Sequence, residues 1–245
     1  MTMGPKLREL SPADPPPWLD DPAARLVFLC TAASAPKRLV VGLAGLPGAG
    51  KSTRAQALVE HVNLALGVGT AQLVGMDGFH LTRRRLAEFA DPAAALARRG
   101  APWTFDPSAL AQRLRQLRAM PWQGTGDVRD APMPAVAWPG FSHGTGDPVE
   151  GAITVYASVR LVLLEGLYLL HRDHGWNLSG LLDECWFLDL PLAQAMERLT
   201  LRHMATRNMD RTQASARVQA NDRLNARIVA ASRYRAHWRI ADAAY

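Results

Sequence analysis

The sequence predicts an α/β fold in which helices cover both faces of a parallel sheet, and three observations lead to this. Four short runs are mainly apolar: residues 39–44, 160–164 and 185–190, and more weakly residues 70–76. Stretches with helical periodicity separate them, and a glycine-rich turn joins the first run to the first such helix. Strands without polar alternation are typical of a sheet buried on both faces, as parallel sheets are.

Amphipathic helices are predicted between and around these runs. Apolar residues recur every four positions in 53–66, and three leucines share one face of 107–120. A short helix is expected near 22–33, and the chain from 192 to about 232 is helical in pattern. Strands that alternate with helices indicate βαβ units and therefore a parallel sheet.

One stretch departs from this alternation. Residues 121–148 contain ten Gly or Pro, too many for regular buried elements. A short hairpin is predicted there, with 135–138 paired against 153–156. A loop of this length in a compact domain is usually functional or mobile.

Composition limits the function classes. The 245 residues are 48% hydrophobic and 20% charged, which indicates a single globular domain over residues 1–245. The net charge of +6 is concentrated in residues 198–239, which hold ten Arg, no Lys and two acids. No apolar run approaches the roughly 20 residues of a membrane span. The N-terminus lacks a secretory leader, so we expect a cytoplasmic protein without a membrane partner.

The strongest motif is G-x-x-x-x-G-K-[ST], which the sequence matches in full directly after the first apolar run. Its residues are Gly45, Leu46, Pro47, Gly48, Ala49, Gly50, Lys51, Ser52 and Thr53. The glycines let successive backbone N–H groups point at phosphate oxygens, and the next helix adds its positive N-terminal end. We expect Lys51 to reach the β- and γ-phosphates and Ser52 to ligate Mg²⁺. The motif predicts a three-layer P-loop NTPase fold that binds a nucleoside triphosphate.

The remaining sequence narrows the kind of NTPase. GTPases read guanine with an Asn-Lys-x-Asp loop, and no Lys follows position 51. Mechanical ATPases usually carry an Asp at the end of the second motif strand, whereas here that strand ends in Glu165 and Gly166. The Glu165 carboxylate could hold Mg²⁺ through water or lie beside an acceptor. A small kinase is the favoured interpretation.

A kinase needs a carboxylate that orients the acceptor hydroxyl and takes its proton. Asp77 stands at the carboxyl end of the second predicted strand, where open α/β sheets place their ligands. It is therefore the candidate catalytic base. His80, three residues later, is open between a substrate contact and a packing role.

Several motifs resemble one known family. They are MDGFH at 76–80, RGAPWTFD at 99–106, DPV at 147–149, LEGLYLL at 164–170 and NDRLNA at 221–226. With the glycine-rich motif, their order resembles the P-loop kinases of the uridine kinase, pantothenate kinase and phosphoribulokinase superfamily. The similarity is strongest to the nucleoside/nucleotide kinase-like branch, which includes a kinase associated with bacterial fructose import and a fungal ATP-dependent kinase. It extends from about residue 39 to about residue 231.

The resemblance implies roles for several residues. Asp77 corresponds to the catalytic acid of the family, and Glu165 to a carboxylate near both metal and substrate. Phe105 and Asp106 correspond to a segment that lines the acceptor pocket. Where the family often has an acid in an aromatic-Asp-His/Arg run, this chain has Ser142, so acceptor contacts from that loop do not transfer directly.

The resemblance also assigns the basic segment to a lid at 196–215. Arg198 and Arg202 would close on the transferring phosphate, with Arg207 and Arg211 as further candidates and Asn221 as a contact on the nucleotide side. A solvated helix surface and a nucleic-acid face are the alternatives. Nucleic-acid binding is disfavoured because the Arg pairs are not in phase along one helical stripe.

The sequence thus predicts a kinase with a five-stranded parallel sheet, an N-terminal arm at 1–25 and an acceptor-binding insertion at 78–158. It would use ATP and Mg²⁺ to phosphorylate a hydroxyl of a small molecule, such as a nucleoside, a sugar or a pantothenate-like alcohol. Lys51 and Arg202 would stabilise charge. No nucleic-acid partner is expected, and a homo-oligomer is possible. The alternatives are a nucleotide-dependent ATPase or regulator without a small-molecule acceptor, and an RNA-associated ATPase.

Overall fold

A computed structural model describes residues 21–32, 37–124, 134–142 and 144–241. Most of the predicted N-terminal arm lies outside these residues. The helices are α1 (Pro22–Ala32), α2 (Lys51–Leu66), α3 (Arg83–Leu86), α4 (Pro92–Ala97), α5 (Pro107–Ala119), α6 (Leu192–Arg207), α7 (Arg211–Arg217) and α8 (Arg223–Ser232). The strands are β1 (Leu39–Gly45), β2 (Ala71–Gly75), β3 (Ala135–Ser142), β4 (Asp147–Tyr156), β5 (Leu161–Gly166), β6 (Glu184–Asp189) and β7 (Trp238–Ala241).

A five-stranded sheet in the order β2-β5-β1-β6-β7 forms the centre of the molecule, and every pairing in it is parallel. All seven residues of the central strand β1 are buried, as its apolar sequence requires. The predicted five-stranded parallel sheet is confirmed. Because the strands run in one direction, the ends of β1, β2 and β5 meet at the same edge, and β2 pairs with β5 up to Gly75 and Glu165.

The fifth strand, β7, has no counterpart among the apolar runs of the sequence. It has four residues, of which only Ile240 is buried, and it lies at the sheet edge beside β6. An edge strand of this length carries too little apolar alternation to be distinguished from a loop. Its position is fixed by tertiary contacts, including the edge-to-face packing of Trp238 on Trp186, with ring centroids 5.2 Å apart.

The predicted hairpin is confirmed, including its register: Ala135 pairs with Tyr156 and Trp138 with Ile153. It continues past an irregularity after Trp138 to a last pair between Ser142 and Asp147. The Trp138 ring is fully buried, and its Nε1 donates a hydrogen bond of 2.9 Å to the carbonyl of Gly75. This bond anchors the hairpin at the end of β2.

The helical region after β6 is interrupted rather than continuous. Helix α6 ends at Asn208, which adopts a left-handed conformation with φ 50° and ψ 40°. Helix α7 starts with a capping box formed by Asp210 and Gln213, and a π-helical segment, Val218–Asp222, joins it to α8. The proposed lid at 196–215 therefore crosses a helix break. Within the described residues, no helix combines the length and apolar character needed to cross a bilayer.

Candidate active site

The glycine-rich loop forms a phosphate cradle, residues 45–53, between β1 and α2. Gly48 and Gly50 have φ of 82° and 83°, a conformation that side-chain-bearing residues rarely adopt. A Cβ on Gly48 would lie 2.5 Å from the carbonyl oxygen of Ala195 and 2.7 Å from Leu199 Cγ. The loop is thus packed directly on α6, so the lid helix and the cradle share one contact surface.

Lys51 is the partly buried cation of the cradle. Its Nζ donates a hydrogen bond of 3.0 Å to the carbonyl of Leu46. Burial lowers the Lys51 pKa from 10.5 to about 8, with Glu165 and Asp77 acting to raise it and Arg202 to lower it. The charged groups of Glu165, Asp77 and Arg202 are therefore close enough to Lys51 to shift its pKa.

Ser52 and Glu165 lie in direct contact. The Ser52 hydroxyl is 3.0 Å from Oε1 and 2.9 Å from Oε2 of Glu165. Burial raises the pKa of the Glu165 carboxyl, Lys51 and the Ser52 hydrogen bond lower it, and Asp77 adds a smaller increase. The two residues predicted at the metal thus form one pair of oxygen donors between the cradle and β5.

Asp77 opens a single 3₁₀ turn, Asp77–Phe79, directly after β2. The backbone is held there because the Met76 N–H donates to the carbonyl of Glu165 at 2.9 Å. The Asp77 side chain is 55% exposed, so its carboxylate is accessible to a substrate. The ends of β2 and β5 therefore place Asp77 near Glu165, and its role as a catalytic base stays a prediction.

His80 is held in place by backbone and aromatic contacts. Its Nδ1 lies 2.8 Å from the carbonyl oxygen of Asp77 and 4.0 Å from the Asp77 carboxylate. Its ring lies against those of Phe105 and Phe141, with centroids 3.9 and 4.8 Å away. The packing interpretation of His80 is thus supported, while the ring also forms the wall next to Asp77.

Phe105 forms an isolated antiparallel bridge with His80, and Asp106 follows it directly. Phe105 is buried among the rings of Tyr168 and Trp176. The Asp106 carboxylate accepts a hydrogen bond of 2.9 Å from the Ala109 N–H and thereby caps α5. Both residues support the acceptor region, and the contacts of the Asp106 carboxylate are those of a helix cap.

The predicted lid residues lie in different surroundings. Arg198 Nη1 is 3.9 Å from the position of a Cβ on Gly50, at the mouth of the cradle. Asn221 instead donates to the carbonyl of Arg99 at 3.0 Å and accepts from Arg98. Its contacts therefore join the π-helical segment to the 98–99 turn rather than to the cradle. Arg211, a further lid candidate, pairs with Glu197 at 2.7 Å.

Sequence reasoning missed a group of residues around the tip of the hairpin. Arg99 donates to the carbonyls of Leu81 and Gly146 and, at 3.0 Å, to the Asp147 carboxylate. The Tyr168 hydroxyl donates to the carbonyl of Gly100 at 2.6 Å. Arg99, Asp147 and Tyr168 all lie in motifs that carry the family resemblance, but no spacing rule connects segments so far apart in sequence.

Two cavities border these elements. One of about 860 Å³ extends from Leu46 of the cradle along the ends of β6 and β7. Its remaining lining residues are Phe187, Asp189, Leu190, Pro191, Leu192, Ala230, Arg233, Ala236, His237, Trp238, Arg239 and Ala241. The other, of about 380 Å³, lies between α5 and the hairpin and includes His80 and Asp106.

Comparisons with known proteins agree with this geometry. No family model matches the chain. It is 37% identical over 153 residues to the ATP-dependent kinase-like protein notR' of Aspergillus versicolor, covering 62% of this chain and 84% of that protein. It is 33% identical over 171 residues to a candidate uridine kinase of Schizosaccharomyces pombe, covering 68% of this chain and 66% of that protein. The match to the ATP-dependent kinase YFH7 of Zygosaccharomyces rouxii spans 48% of that protein.

Solved structures show the same fold. A candidate fructose transport system kinase from Silicibacter sp. TM1040 superposes with a TM-score of 0.72 at 32% identity, covering 87% of this chain and 98% of that one. The P-loop protein YFH7 of Saccharomyces cerevisiae gives a TM-score of 0.74 at 22% identity, covering 89% and 98%. With the cradle, Asp77 and Glu165 in place, the chain belongs to the P-loop kinase superfamily of uridine kinase and phosphoribulokinase.

Proposed function

We propose that this kinase transfers the γ-phosphoryl group of ATP to a hydroxyl of a small molecule. One observation carries the proposal: Lys51, Glu165 and Asp77 interact electrostatically where the ends of three neighbouring strands meet. Lys51 and the backbone of the cradle bind the phosphates, and Asp77 presents an accessible carboxylate beside them. Phosphoryl transfer depends mainly on such positioning and charge stabilisation.

The nucleotide would lie along the cradle with its base in the cavity that begins at Leu46. This cavity follows directly from the loop that binds the phosphates, and Trp238 lines it. Arg198, at the mouth of the cradle, and Arg202 would add guanidinium donors to the phosphate chain. Arg side chains suit this role because their planar donors match phosphate oxygens in pairs.

Mg²⁺ fits the donors that the site provides. Ser52 and Glu165 offer a hydroxyl and a carboxylate in contact, and Mg²⁺ usually binds one or two such protein oxygens together with phosphates and water. The described residues contain no cluster of three or more His, Cys, Asp or Glu able to hold a metal alone. When bound, Mg²⁺ would neutralise negative charge on the phosphates.

The chain's own residues would then act in order. Asp77 accepts a hydrogen bond from the acceptor hydroxyl and takes its proton as the oxygen attacks phosphorus. Lys51 and Arg202 stabilise the charge that spreads over the γ-phosphoryl oxygens. His80 and its aromatic neighbours exclude water on one side of Asp77.

The test is ATP consumption across a panel of nucleosides, sugars and pantothenate-like alcohols, with wild type and Asp77→Asn compared. We expect at least one acceptor to give a phosphorylated product that Asp77→Asn fails to form. Slow ATP hydrolysis without any Asp77-dependent product would instead support a nucleotide-dependent regulator. The exposure of the Asp77 carboxylate favours the kinase, because a regulator would have that position filled.

A further inference from the structure

Two guanidinium groups converge at the tip of the β3–β4 hairpin. Arg99 Nη1 and Arg83 Nη1 lie 3.6 Å and 3.7 Å from the position of a Cβ on Gly146. One carboxylate, that of Asp147, serves both segments by accepting from Arg99 at 3.0 Å and from the backbone N–H of Arg83 at 2.8 Å. Two neighbouring cations with a single anion leave this corner positively charged.

The excess charge belongs to the Arg83 side chain. Among the described residues, its guanidinium has neither a hydrogen-bond acceptor nor an ion-pair partner. Ser142 stands opposite Asp147 in the hairpin, and its hydroxyl accepts from the Thr145 N–H at 3.3 Å. An acid at position 142 would neutralise this corner, whereas Ser142 does not.

The cleft on the other side of the hairpin provides a contrast. Arg85 pairs with Glu88 at 2.5 Å, and Arg113 pairs with Glu150. Both arginines line that cleft and both have carboxylate partners on the protein itself. Arg83 thus differs from these two arginines in having no carboxylate partner among the described residues.

A continuous series of contacts connects this corner to the proposed catalytic base. Asp77 lies 4.0 Å from His80, the His80 ring centroid is 4.8 Å from that of Phe141, and the Arg99 guanidinium lies over Phe141 at 5.6 Å. The rings of His80 and Phe141 thus lie, one after the other, between the Asp77 carboxylate and the positive corner. Both lie on the wall expected to face the acceptor.

We propose that the acceptor is an anionic alcohol, with its hydroxyl at Asp77 and a carboxylate or phosphate group at Arg83. This inference rests on the proposed kinase function and narrows its substrate class. Guanidinium groups bind carboxylates and phosphates through paired, charge-assisted hydrogen bonds, and neighbouring cations favour an anion between them. A neutral acceptor would leave the Arg83 charge without a partner.

The experiment compares acceptors in matched pairs. Each neutral alcohol is assayed beside its anionic counterpart: panthenol with pantothenate, glycerol with glycerate, fructose with fructose 6-phosphate, and uridine with its 5′-monophosphate. The carboxylate and phosphate arms distinguish the two anions. We expect Asp77-dependent product with kcat/KM at least about 10-fold higher for the anionic member of one pair, the scale of one charged hydrogen bond.

Variants locate the effect at the proposed corner. For the preferred anion, Arg83→Gln should raise the acceptor KM about 10- to 100-fold, the range for a lost charged hydrogen bond, and leave the KM for ATP unchanged. Arg83→Lys should recover part of the loss. Arg85→Gln, on the same helix but paired with Glu88, is the control and should change the acceptor KM less than about 3-fold.

The outcomes separate the two proposals. Equal or greater Asp77-dependent turnover of the neutral members would overturn the anionic acceptor and leave the kinase function intact. An anionic preference that survives Arg83→Gln would equally overturn the placement of the anion at Arg83. No Asp77-dependent product from either member of any pair would overturn the proposed function, and this inference with it.

Discussion

The phosphate cradle and the proposed acceptor wall, which comprises residues 77–83, 99–106, 141–142 and 144–147, are built in different ways. The cradle is one continuous loop whose shape is set by two left-handed glycines and by packing on α6. The acceptor wall joins three separate chain segments through side-chain bonds, chiefly those of Arg99. The cradle is therefore set by a local backbone motif, whereas the proposed acceptor wall depends on contacts between distant residues.

The largest expected effect comes from removing the main charged group of each region, Asp77 in the acceptor wall and Lys51 in the cradle. Asp77→Asn should reduce phosphoryl transfer about 100- to 10,000-fold, because a positioned general base contributes on this scale. Its nucleotide affinity should stay within about 3-fold of wild type, since Asp77 is not bonded to the cradle. Lys51→Met should instead weaken both nucleotide binding and transfer, as removal of one preorganised donor costs about 100- to 1,000-fold in rate.

Steady-state turnover and the binding of a fluorescent ATP analogue measure the two effects separately. If Asp77→Asn weakened nucleotide binding as much as Lys51→Met does, the cradle and the acceptor wall would not be independent, and the comparison would fail.

A pair of glycine substitutions tests whether the cradle and the acceptor wall are independent, because each introduces a steric clash in only one of the two regions. Gly48→Ala places a methyl group 2.5 Å from the carbonyl oxygen of Ala195 and strains φ, so we expect more than about 10-fold weaker ATP binding. Gly78→Ala places its methyl group into the Pro139 carbonyl, which forces the hairpin away from Asp77. A displacement near 1 Å can cost about 100-fold in transfer while nucleotide binding persists.

Gly144→Ala is the control for these substitutions, because its methyl group would meet only Ser142 Oγ at 3.8 Å. Nucleotide titration and acceptor-dependent turnover, both at matched folded fractions, provide the readout. Loss of nucleotide binding in Gly78→Ala would show that the hairpin supports the cradle as well.

Sequence alone predicted the cradle region well, for a physical reason. A glycine-rich motif and mainly apolar strands are local patterns, so the five-stranded parallel sheet follows from them together with the resemblance. The register of the hairpin was also predictable, since 135–138 and 153–156 alternate in a way that buries Trp138 and Val155. These features depend on residues that lie close together in the sequence.

The rest depends on contacts that no local pattern encodes. β7 is fixed by Trp238 on Trp186, and the break at Asn208 rests on one left-handed residue and the cap of α7. The contacts of Asn221 lie at Arg98 and Arg99 because the π-helical segment turns its amide toward that loop. Arg83, Arg99 and Asp147 lie far apart in sequence and meet only through the tertiary fold.

The pH dependence of nucleotide binding probes the electrostatics of the cradle. Because burial lowers the Lys51 pKa to about 8, the amine loses its proton as pH rises through that value, well below the ordinary 10.5. The anionic phosphates of ATP favour the charged amine, so binding at about pH 8.5 should take up a fraction of a proton. Above that pH, ATP affinity should fall progressively.

Calorimetric titration in two buffers of different ionisation enthalpy measures this uptake. It should vanish at about pH 6.5, where Lys51 is already charged, and in Lys51→Arg, whose guanidinium stays charged throughout. Asp77→Asn retains the lysine and should retain the uptake. Proton uptake that persists in Lys51→Arg would assign it to another group and contradict the lowered pKa.

The smallest expected effect concerns the bond that ties the proposed acceptor wall to the segment after β5. Tyr168→Phe removes the hydrogen bond to the carbonyl of Gly100 but keeps the ring packed between Phe105 and Trp176. We expect a loss of about 1 kcal/mol in the free energy of unfolding, measured by urea denaturation. Tyr156→Phe, on the exposed side of β4, should change it by less than about 0.5 kcal/mol.

The kinetic effect of Tyr168→Phe should be confined to the acceptor, because Gly100 belongs to the 99–106 segment of the acceptor wall. A rise of a few-fold in the acceptor KM with an unchanged KM for ATP is the expected result. A higher KM for ATP would show that the 99–106 segment also positions the nucleotide through Asn221, which accepts from Arg98 and donates to the carbonyl of Arg99. In that case the acceptor wall and the proposed lid would act as one coupled unit. The cradle alone would then form the second region of the comparison.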